Sequence, residues 1–295
     1  MTDEFQNYVD DIRENNKLKL ILVPIVIVFF ALVLNFYSII LLMPFFIDNL
    51  GELFTLEGNV SILNEFFCLG LSIFFMMKVS RLSLRQLGFV KDKIFGSYLK
   101  GALFGILEVF FVFFIIFGLR GIEVYFLGNL KFFVFIRILL FFIFQGMFEE
   151  VLFRGYLMVM FSKVMGIKFS IIVSSFLFAV IHLLNPNIQI LGLFNIFLVG
   201  IMFGLIYYYT GNLWIIGAMH TFWNFTLGYI VGSQISGMGT LKSILSSIPI
   251  DNKEFISGGA FGFEASIVTV VVQIAISLFV IYLIKKEKLK KADNL

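Results

Sequence analysis

The feature that most constrains this chain is a series of long apolar runs, and residues 20–34 (LILVPIVIVFFALVL) contain no polar side chain at all. A helix needs about 20 apolar residues to cross the hydrocarbon core of a bilayer. A closed β-barrel also satisfies its backbone in lipid, but barrel strands alternate apolar and polar residues. Because these runs are continuously apolar, they predict an all-α, polytopic membrane protein.

Composition supports a lipid environment. The chain is 60% hydrophobic and 18% aromatic, and only 14% of its residues are charged, whereas a soluble domain is about half apolar and about a quarter charged. This excludes a soluble globular enzyme, a disordered protein and a nucleic-acid binder with a broad basic face. One cysteine, Cys68, excludes a disulfide framework and a cysteine-based metal cluster.

The apolar runs divide one transmembrane domain, 20–284, into eight predicted spans. It is expected to lie between an N-terminal tail, 1–19, and a basic C-terminal tail, 285–295. The predicted spans are 20–46, 61–77, 101–119, 132–152, 169–184, 190–208, 213–231 and 265–284. Short connectors join the fourth to seventh spans, so these four are expected to form a compact bundle that holds the core of the protein, at about 132–231.

Basic residues are concentrated in alternate connecting segments. They are Arg13, Lys17 and Lys19, then Lys78, Arg81, Arg85, Lys91, Lys93 and Lys100, then Lys163 and Lys168, and five lysines between 285 and 291. Cytoplasmic segments carry this excess, so eight spans with both termini in the cytoplasm are predicted. The first 16 residues are polar and acidic, unlike a cleavable signal peptide. The Ile-, Lys- and Phe-rich composition favours a prokaryotic cell membrane.

Charged groups inside spans are costly and usually functional. Glu65 and Arg137 lie near predicted span ends, so we expect their side chains to reach the membrane surface. Glu108 lies deeper and is expected to pair with a neighbouring helix, with a proton or substrate contact as the alternative.

The segment EEVLFR carries three ionisable groups, Glu149, Glu150 and Arg154. Residues four apart share a helix face, so Arg154 is expected to pair with Glu150. Glu149 points about 100° away and has no cation close in sequence, which suits a general base. The alternative is a charge cluster at the end of a helix.

The chain has only two histidines, His182 and His220, and both lie in predicted spans. Phe178 precedes His182 by one helical turn, and Asn224 follows His220 by one turn. Each histidine by itself could be a satisfied polar residue, and a His–Asn pair could simply link two helices. Because both lie in the same four-span block as Glu149, we predict that they share one site.

Two kinds of chemistry fit this set of residues. A glutamate and a histidine can activate water while a histidine and an asparagine stabilise an oxyanion. Alternatively, Glu149, His182 and His220 could hold Zn²⁺ with one open position for water. Both describe hydrolysis of an acyl bond, most naturally a peptide bond. The sequence contains neither the Gly-x-Ser-x-Gly motif of a serine nucleophile nor the His-Glu-x-x-His motif of a zinc protease. It also lacks a phosphate-binding loop, so a nucleotide is not an expected partner. Nucleic acid is not an expected partner either.

Three motifs in this order resemble the CPBP, or Abi, family of intramembrane proteases, which includes the type II CAAX prenyl endopeptidases. The motifs are Glu149-Glu150-Val151-Leu152-Phe153-Arg154, Phe178-x-x-x-His182 and His220-x-x-x-Asn224. The resemblance spans about 132–231 and implies an eight-helix fold of the prenyl-endopeptidase type. It also implies cleavage of a peptide or lipid-modified protein at the membrane.

The resemblance further implies a role for each residue. Glu149 would be the general base, His182 would help to hold the water, and His220 with Asn224 would stabilise the oxyanion. Glu150 and Arg154 would form a supporting ion pair, and Phe178 belongs to the packing of the second motif. No tightly bound metal is expected, with Zn²⁺ as the alternative cofactor.

Two other functions remain open at this point. The first is a non-catalytic membrane protein of the bacteriocin-immunity type. The second is a proton-coupled transporter that uses Glu108, Glu149 and the histidines as a relay.

If the chain is a protease, its site is expected in the cytoplasmic half, in a water-filled cavity. A rise of 1.5 Å per residue puts His182 about 21 Å from Lys168, further outward than Glu149.

Overall fold

The computed structural model describes residues 2–42, 59–92, 94–239 and 242–293, and these are mostly helical. The helices are α1 (Thr2–Asp10), α2 (Lys17–Leu42), α3 (Asn59–Val79), α4 (Ile94–Gly118), α5 (Phe132–Glu150), α6 (Val159–Ile181), α7 (Ile190–Thr210), α8 (Leu213–Phe225), α9 (Glu254–Ser257) and α10 (Ile267–Ala292). Two short strands are β1 (Ile122–Phe126) and β2 (Leu245–Pro249). The predicted all-α membrane fold class is confirmed.

Six stretches of the described chain are long and apolar enough to cross a membrane. They are Lys17–Ser38, Val60–Val79, Ile94–Gly118, Phe132–Leu184, Ile190–Thr210 and Ile267–Ala292. The fourth stretch contains two of the predicted spans, and α8 has only 13 residues, so the count of eight stays a prediction. Residues 43–46, at the end of the predicted first span, lie outside the described residues. The protein is a multi-pass membrane protein.

The fourth stretch reverses direction at Gly166. The chain stays helical from α5 through a π-helical segment, Val151–Met158, into α6, and breaks at Gly166 with φ 74° and ψ 164°. This backbone conformation is open to glycine and strained for other residues. Across the break, the hydroxyl oxygens of Ser162 and Ser170 lie 2.6 Å apart, so the two arms run antiparallel.

The N-terminal segment folds against the bundle instead of forming a simple tail. Helix α1 buries Phe5. Lys291, near the end of α10, donates to Asp3 at 2.6 Å, and Arg85, in the segment after α3, donates to Glu4 at 2.7 Å. The N-terminus, this segment and the end of α10 therefore lie on the same side of the bundle. Which side of the membrane that is remains a prediction.

The long segment between α8 and α10 is tied to the rest of the fold by a small sheet. Strand β2 in this loop pairs antiparallel with β1, with Ile122 opposite Pro249 and Phe126 opposite Leu245. The loop therefore packs against the segment that joins α4 to α5.

Helices α5 and α8 cross at close range because Gly146 has no side chain. A Cβ atom at Gly146 would lie 2.9 Å from the backbone nitrogen of Thr221. Thr221 also donates its hydroxyl to the carbonyl of Phe142 at 3.1 Å. On α8, Met219 belongs to one buried apolar cluster and Trp223 to the other. The polar residues near the crossing therefore lie where the two apolar clusters meet.

Candidate active site

One cavity brings together the residues that the sequence analysis assigned to a shared site. It lies at the crossing of α5 and α8 and has a volume of about 70 Å³, which is room for several water molecules. Its lining includes Glu149, Phe178, His182, His220 and Asn224. These residues come from three separate parts of the chain, so the predicted juxtaposition is present in the structure.

The expected difference in depth between Glu149 and His182 is wrong. The helical path does not end near Leu152, because α5 continues through the π segment into α6 and breaks only at Gly166. Glu149 lies 17 residues before Gly166 (166 − 149) and His182 lies 16 residues after it (182 − 166). Because the two arms are antiparallel, nearly equal distances from the turn place both residues at the same height.

Glu150 and Arg154 form the predicted ion pair, with 2.9 Å between Oε1 and Nη1, and both side chains are fully buried. Glu150 has a second partner that the spacing of the motifs did not predict. Nδ1 of His220 also lies 2.9 Å from Oε1 of Glu150. The Arg154 guanidinium lies 4.4 Å from the ring centre of Phe178 and 5.6 Å from that of Phe203. The charge is therefore held by one carboxylate and two aromatic faces.

Glu149 is oriented by a residue that the sequence analysis did not select. The Gln145 amide nitrogen donates to Oε1 of Glu149 at 2.6 Å, and the Asn224 amide nitrogen donates to Oε1 of Gln145 at 3.0 Å. Nε2 of His220 lies 3.7 Å from Oε2 of Glu149. The i, i+4 spacing of Gln145 and Glu149 was a sequence signal for this contact. Gln145 links the carboxylate of the first motif to the amide of the third.

Phe178 orients His182 through its backbone. Nδ1 of His182 lies 2.8 Å from the carbonyl oxygen of Phe178, and the two rings are 4.8 Å apart. A carbonyl oxygen only accepts hydrogen bonds, so Nδ1 is the donor. Nε2 is then the ring nitrogen left for the cavity. In His220, Nδ1 likewise faces a carboxylate, so Nε2 is again the nitrogen on the side of Glu149.

The sequence around this cavity is similar to that of a known protein family. Residues 131–226 match the family described as type II CAAX prenyl endopeptidase Rce1-like. This block is similar to that family, and we call it the Rce1-like block. It contains every residue of the three motifs and covers 96 residues (226 − 131 + 1), about a third of the chain. No curated protein sequence is similar enough to match the chain.

Four further polar residues in the same cavity lie outside the Rce1-like block: Glu108, Ser236, Glu264 and Gln273. The expected pairing of Glu108 with a neighbouring helix is present, because Gln273 on α10 donates to Glu108 at 2.8 Å. Ser236 donates its hydroxyl to Glu264 at 3.0 Å. Burial raises the pKa of Glu264, against the opposing effects of the Ser236 hydrogen bonds and of nearby His182.

The expectation that Glu65 reaches the membrane surface is wrong. Its side chain is buried, with 7% of the residue exposed, and it accepts a hydrogen bond from Asn35 at 3.1 Å. The packing of α2 against α3 covers it, which the position of Glu65 in the span did not reveal. Arg137 is exposed, as expected.

The residues named as zinc candidates do not form a ready-made metal site. Among the described residues, no group of three or more His, Cys, Asp or Glu side chains is arranged to hold a metal ion. Glu149, His182 and His220 share the cavity of the Rce1-like block without meeting in a ligand set. We therefore assign the steps of peptide hydrolysis to protein side chains alone.

Proposed function

We propose that this chain is an endopeptidase that hydrolyses peptide bonds inside or at the surface of the membrane. The Rce1-like block supports an intramembrane protease of the CAAX type in general. The single observation that carries the finer proposal is the cavity in which Glu149, His182, His220 and Asn224 meet. Hydrolysis needs water, and the cavity has room for it within an otherwise apolar bundle.

In this proposal Glu149 is the general base. Gln145 holds one of its carboxylate oxygens, and the other faces the cavity beside His220. Glu149 takes a proton from water while the water oxygen bonds to the carbonyl carbon of the peptide. When the C–N bond breaks, Glu149 returns that proton to the leaving amine. The free Nε2 of His182 helps to hold the water.

The oxyanion that forms on the peptide carbonyl is stabilised by Asn224 and His220. Asn224 uses one amide N–H for Gln145, which leaves its second N–H for the substrate. His220 donates from Nδ1 to Glu150, and in its imidazolium form it donates from Nε2 as well. Donors that are already in position where negative charge develops cost no reorganisation in the transition state.

Glu150 and Arg154 act behind these groups. The carboxylate of Glu150 holds the His220 ring, and Arg154 neutralises the carboxylate in a fully buried position. Taking away one partner of such a pair leaves an uncompensated buried charge. The pair therefore supports both the fold and the orientation of His220.

The substrate we propose is a peptide, or a protein that is associated with the membrane or carries a lipid. We further propose that the protein lies in a prokaryotic cell membrane with both termini in the cytoplasm. The distribution of lysine and arginine supports that orientation, and the contact between Asp3 and Lys291 supports a common side for the two termini.

The experiment is cleavage of a fluorogenic peptide library by the purified protein in lipid vesicles. Glu149→Gln keeps the shape of the side chain and removes the base, and we expect a loss of roughly 100-fold or more. Glu254→Gln, at an exposed glutamate, is the matched control and should retain full activity. Equal cleavage by wild type and Glu149→Gln would overturn the assignment of the base. No cleavage by wild type would instead favour an immunity-type or transport protein.

A further inference from the structure

Contacts between connecting segments define two faces of the helical bundle. The termini share one face with the turn at Gly166, because Lys163 donates to the backbone carbonyl of Asp10 at 3.4 Å. The turn between α7 and α8 lies there as well, because the hydroxyl of Tyr8 donates to the carbonyl of Gly211 at 2.7 Å. We call this the termini face and the opposite one the loop face.

The loop face contains the connection from α6 to α7 and the segment between α8 and α10. The two are joined, because the Asn185 amide donates to the backbone carbonyl of Ser236 at 3.1 Å. Ser236 belongs to a tight turn, Ile235–Met238, whose end residues exchange two backbone hydrogen bonds of 2.8 Å. Ile235, Ser236 and Met238 all line the cavity of the proposed active site, so the cavity extends to this face.

The cavity reaches the protein surface beside Met238. This residue is 50% exposed, and it is the only exposed one among the described residues that line the cavity. Towards the termini face the chain is closely packed. Every residue of the π-helical segment Val151–Met158 is buried, and so are Leu213 and Ile216 at the start of α8. The described part of the chain therefore gives the cavity one opening, on the loop face.

Basic residues are few on the loop face. Arg120 and Lys131 precede α5, and Lys242 and Lys253 lie between α8 and α10, whereas the end of α10 alone carries five lysines between 285 and 291. Cytoplasmic segments carry the excess of lysine and arginine. The distribution supports the proposed orientation, in which the loop face lies outside the cytoplasm.

We propose that the catalytic cavity opens on the face opposite both termini, beside Met238, and that its substrate is a polypeptide segment on the extracytoplasmic side of the membrane. The inference rests on the proposed function and on the proposed orientation of the termini. It differs from the expectation of a site in the cytoplasmic half, which followed from the rise along single helices. Here the connections between helices decide which face the cavity reaches.

The first test measures the side of the opening and needs no activity. Cys68→Ala removes the only cysteine of the chain, and Met238→Cys then places a single thiol at the opening. We expect a membrane-impermeant maleimide to label this thiol in intact spheroplasts of expressing bacteria. Asp293→Cys, at the end of α10, should be labelled only after permeabilisation. Labelling of Met238→Cys only after permeabilisation, or not at all, would overturn the proposal.

The second test asks whether this opening serves the active site. Asp251→Cys is the matched control, because Asp251 is exposed in the same segment but does not line the cavity. After both purified variants react with a bulky maleimide, we expect Met238→Cys to lose cleavage of the fluorogenic peptide and Asp251→Cys to keep it. Equal activity of the two labelled proteins would show that substrate enters elsewhere.

The third test follows the substrate. Spheroplasts that express the wild type should cleave a membrane-impermeant fluorogenic peptide added outside, and those that express Glu149→Gln should not. Cleavage by the purified protein, but by spheroplasts only after permeabilisation, would overturn the proposal and leave the protease assignment intact. No cleavage in any sample would reject the protease assignment itself, while the labelling would still report the side of the opening.

Discussion

Nδ1 of His220 lies 2.9 Å from Oε1 of Glu150. Glu150 was expected only as the partner of Arg154, which lies one turn later on the same helical path. The structure gives this one oxygen two partners, a guanidinium from its own helical path and an imidazole from α8. The adjacent glutamates of the first motif thus have different tasks. Glu150 joins two helices, and Glu149 is left to face the cavity.

The buried ion pair gives a prediction for stability. Glu150→Gln leaves the Arg154 charge uncompensated, and breaking such a pair costs about 3–5 kcal/mol. We expect a clear fall in Tm in detergent, together with loss of activity. The double variant Glu150→Gln, Arg154→Met should regain part of the Tm without regaining activity.

The matched control for this prediction is the surface pair of the exposed Arg85 and the half-buried Glu4, whose atoms are 2.7 Å apart. Exposed pairs contribute about 0–1 kcal/mol, so Glu4→Gln should have almost the wild-type Tm. If Glu150→Gln were as stable as Glu4→Gln, the ion pair would not support the fold.

The bridge through Gln145 gives a prediction for the rate. Gln145→Leu removes the donor to Glu149 and the acceptor for Asn224 at once, so we expect kcat to fall roughly tenfold or more while KM changes little. Gln6→Leu is a suitable control, because Gln6 donates to Asp10 with the same i, i+4 spacing on an exposed helix face. An effect on KM alone would show that Gln145 acts in binding only.

The turn at Gly166 gives a prediction for the backbone. A Cβ atom there would meet nothing within 4 Å, so any cost of Gly166→Ala comes from its backbone conformation. Conformations of this kind cost about 1–3 kcal/mol, and we expect a lower Tm. Gly70→Ala, also in open space but within α3, should be neutral or stabilising. The same Tm in both variants would show that Gly166 does not determine the reversal.

Metal removal gives a fourth prediction. Because the described residues contain no group of three or more potential ligands, peptide cleavage should survive dialysis against a chelator. The measurement is the cleavage rate before and after dialysis, with the metal content of each sample. Activity that disappears with chelator and returns with Zn²⁺ would contradict the mechanism and make Glu149, His182 and His220 ligands.

Several parts of the site could be predicted because they depend on local geometry. The pairing of Glu150 with Arg154 follows from the four-residue spacing of one helix. The shared faces of Phe178 with His182 and of His220 with Asn224 follow from the same spacing. A shared site for Glu149 and the two histidines was inferred from the scarcity of histidine and from their position in one block of four predicted spans. In the structure, Glu149, Phe178, His182, His220 and Asn224 line one cavity.

The sequence by itself determined a helical membrane protein, because lipid leaves few ways to satisfy a long apolar backbone. It also indicated the residues of the three motifs. Only the tertiary structure decided that the chain reverses at Gly166, that Glu65 is buried, and that Glu264 enters the cavity. These outcomes depend on contacts between residues far apart in the chain. The spacing of residues within a single helix carries no information about such contacts.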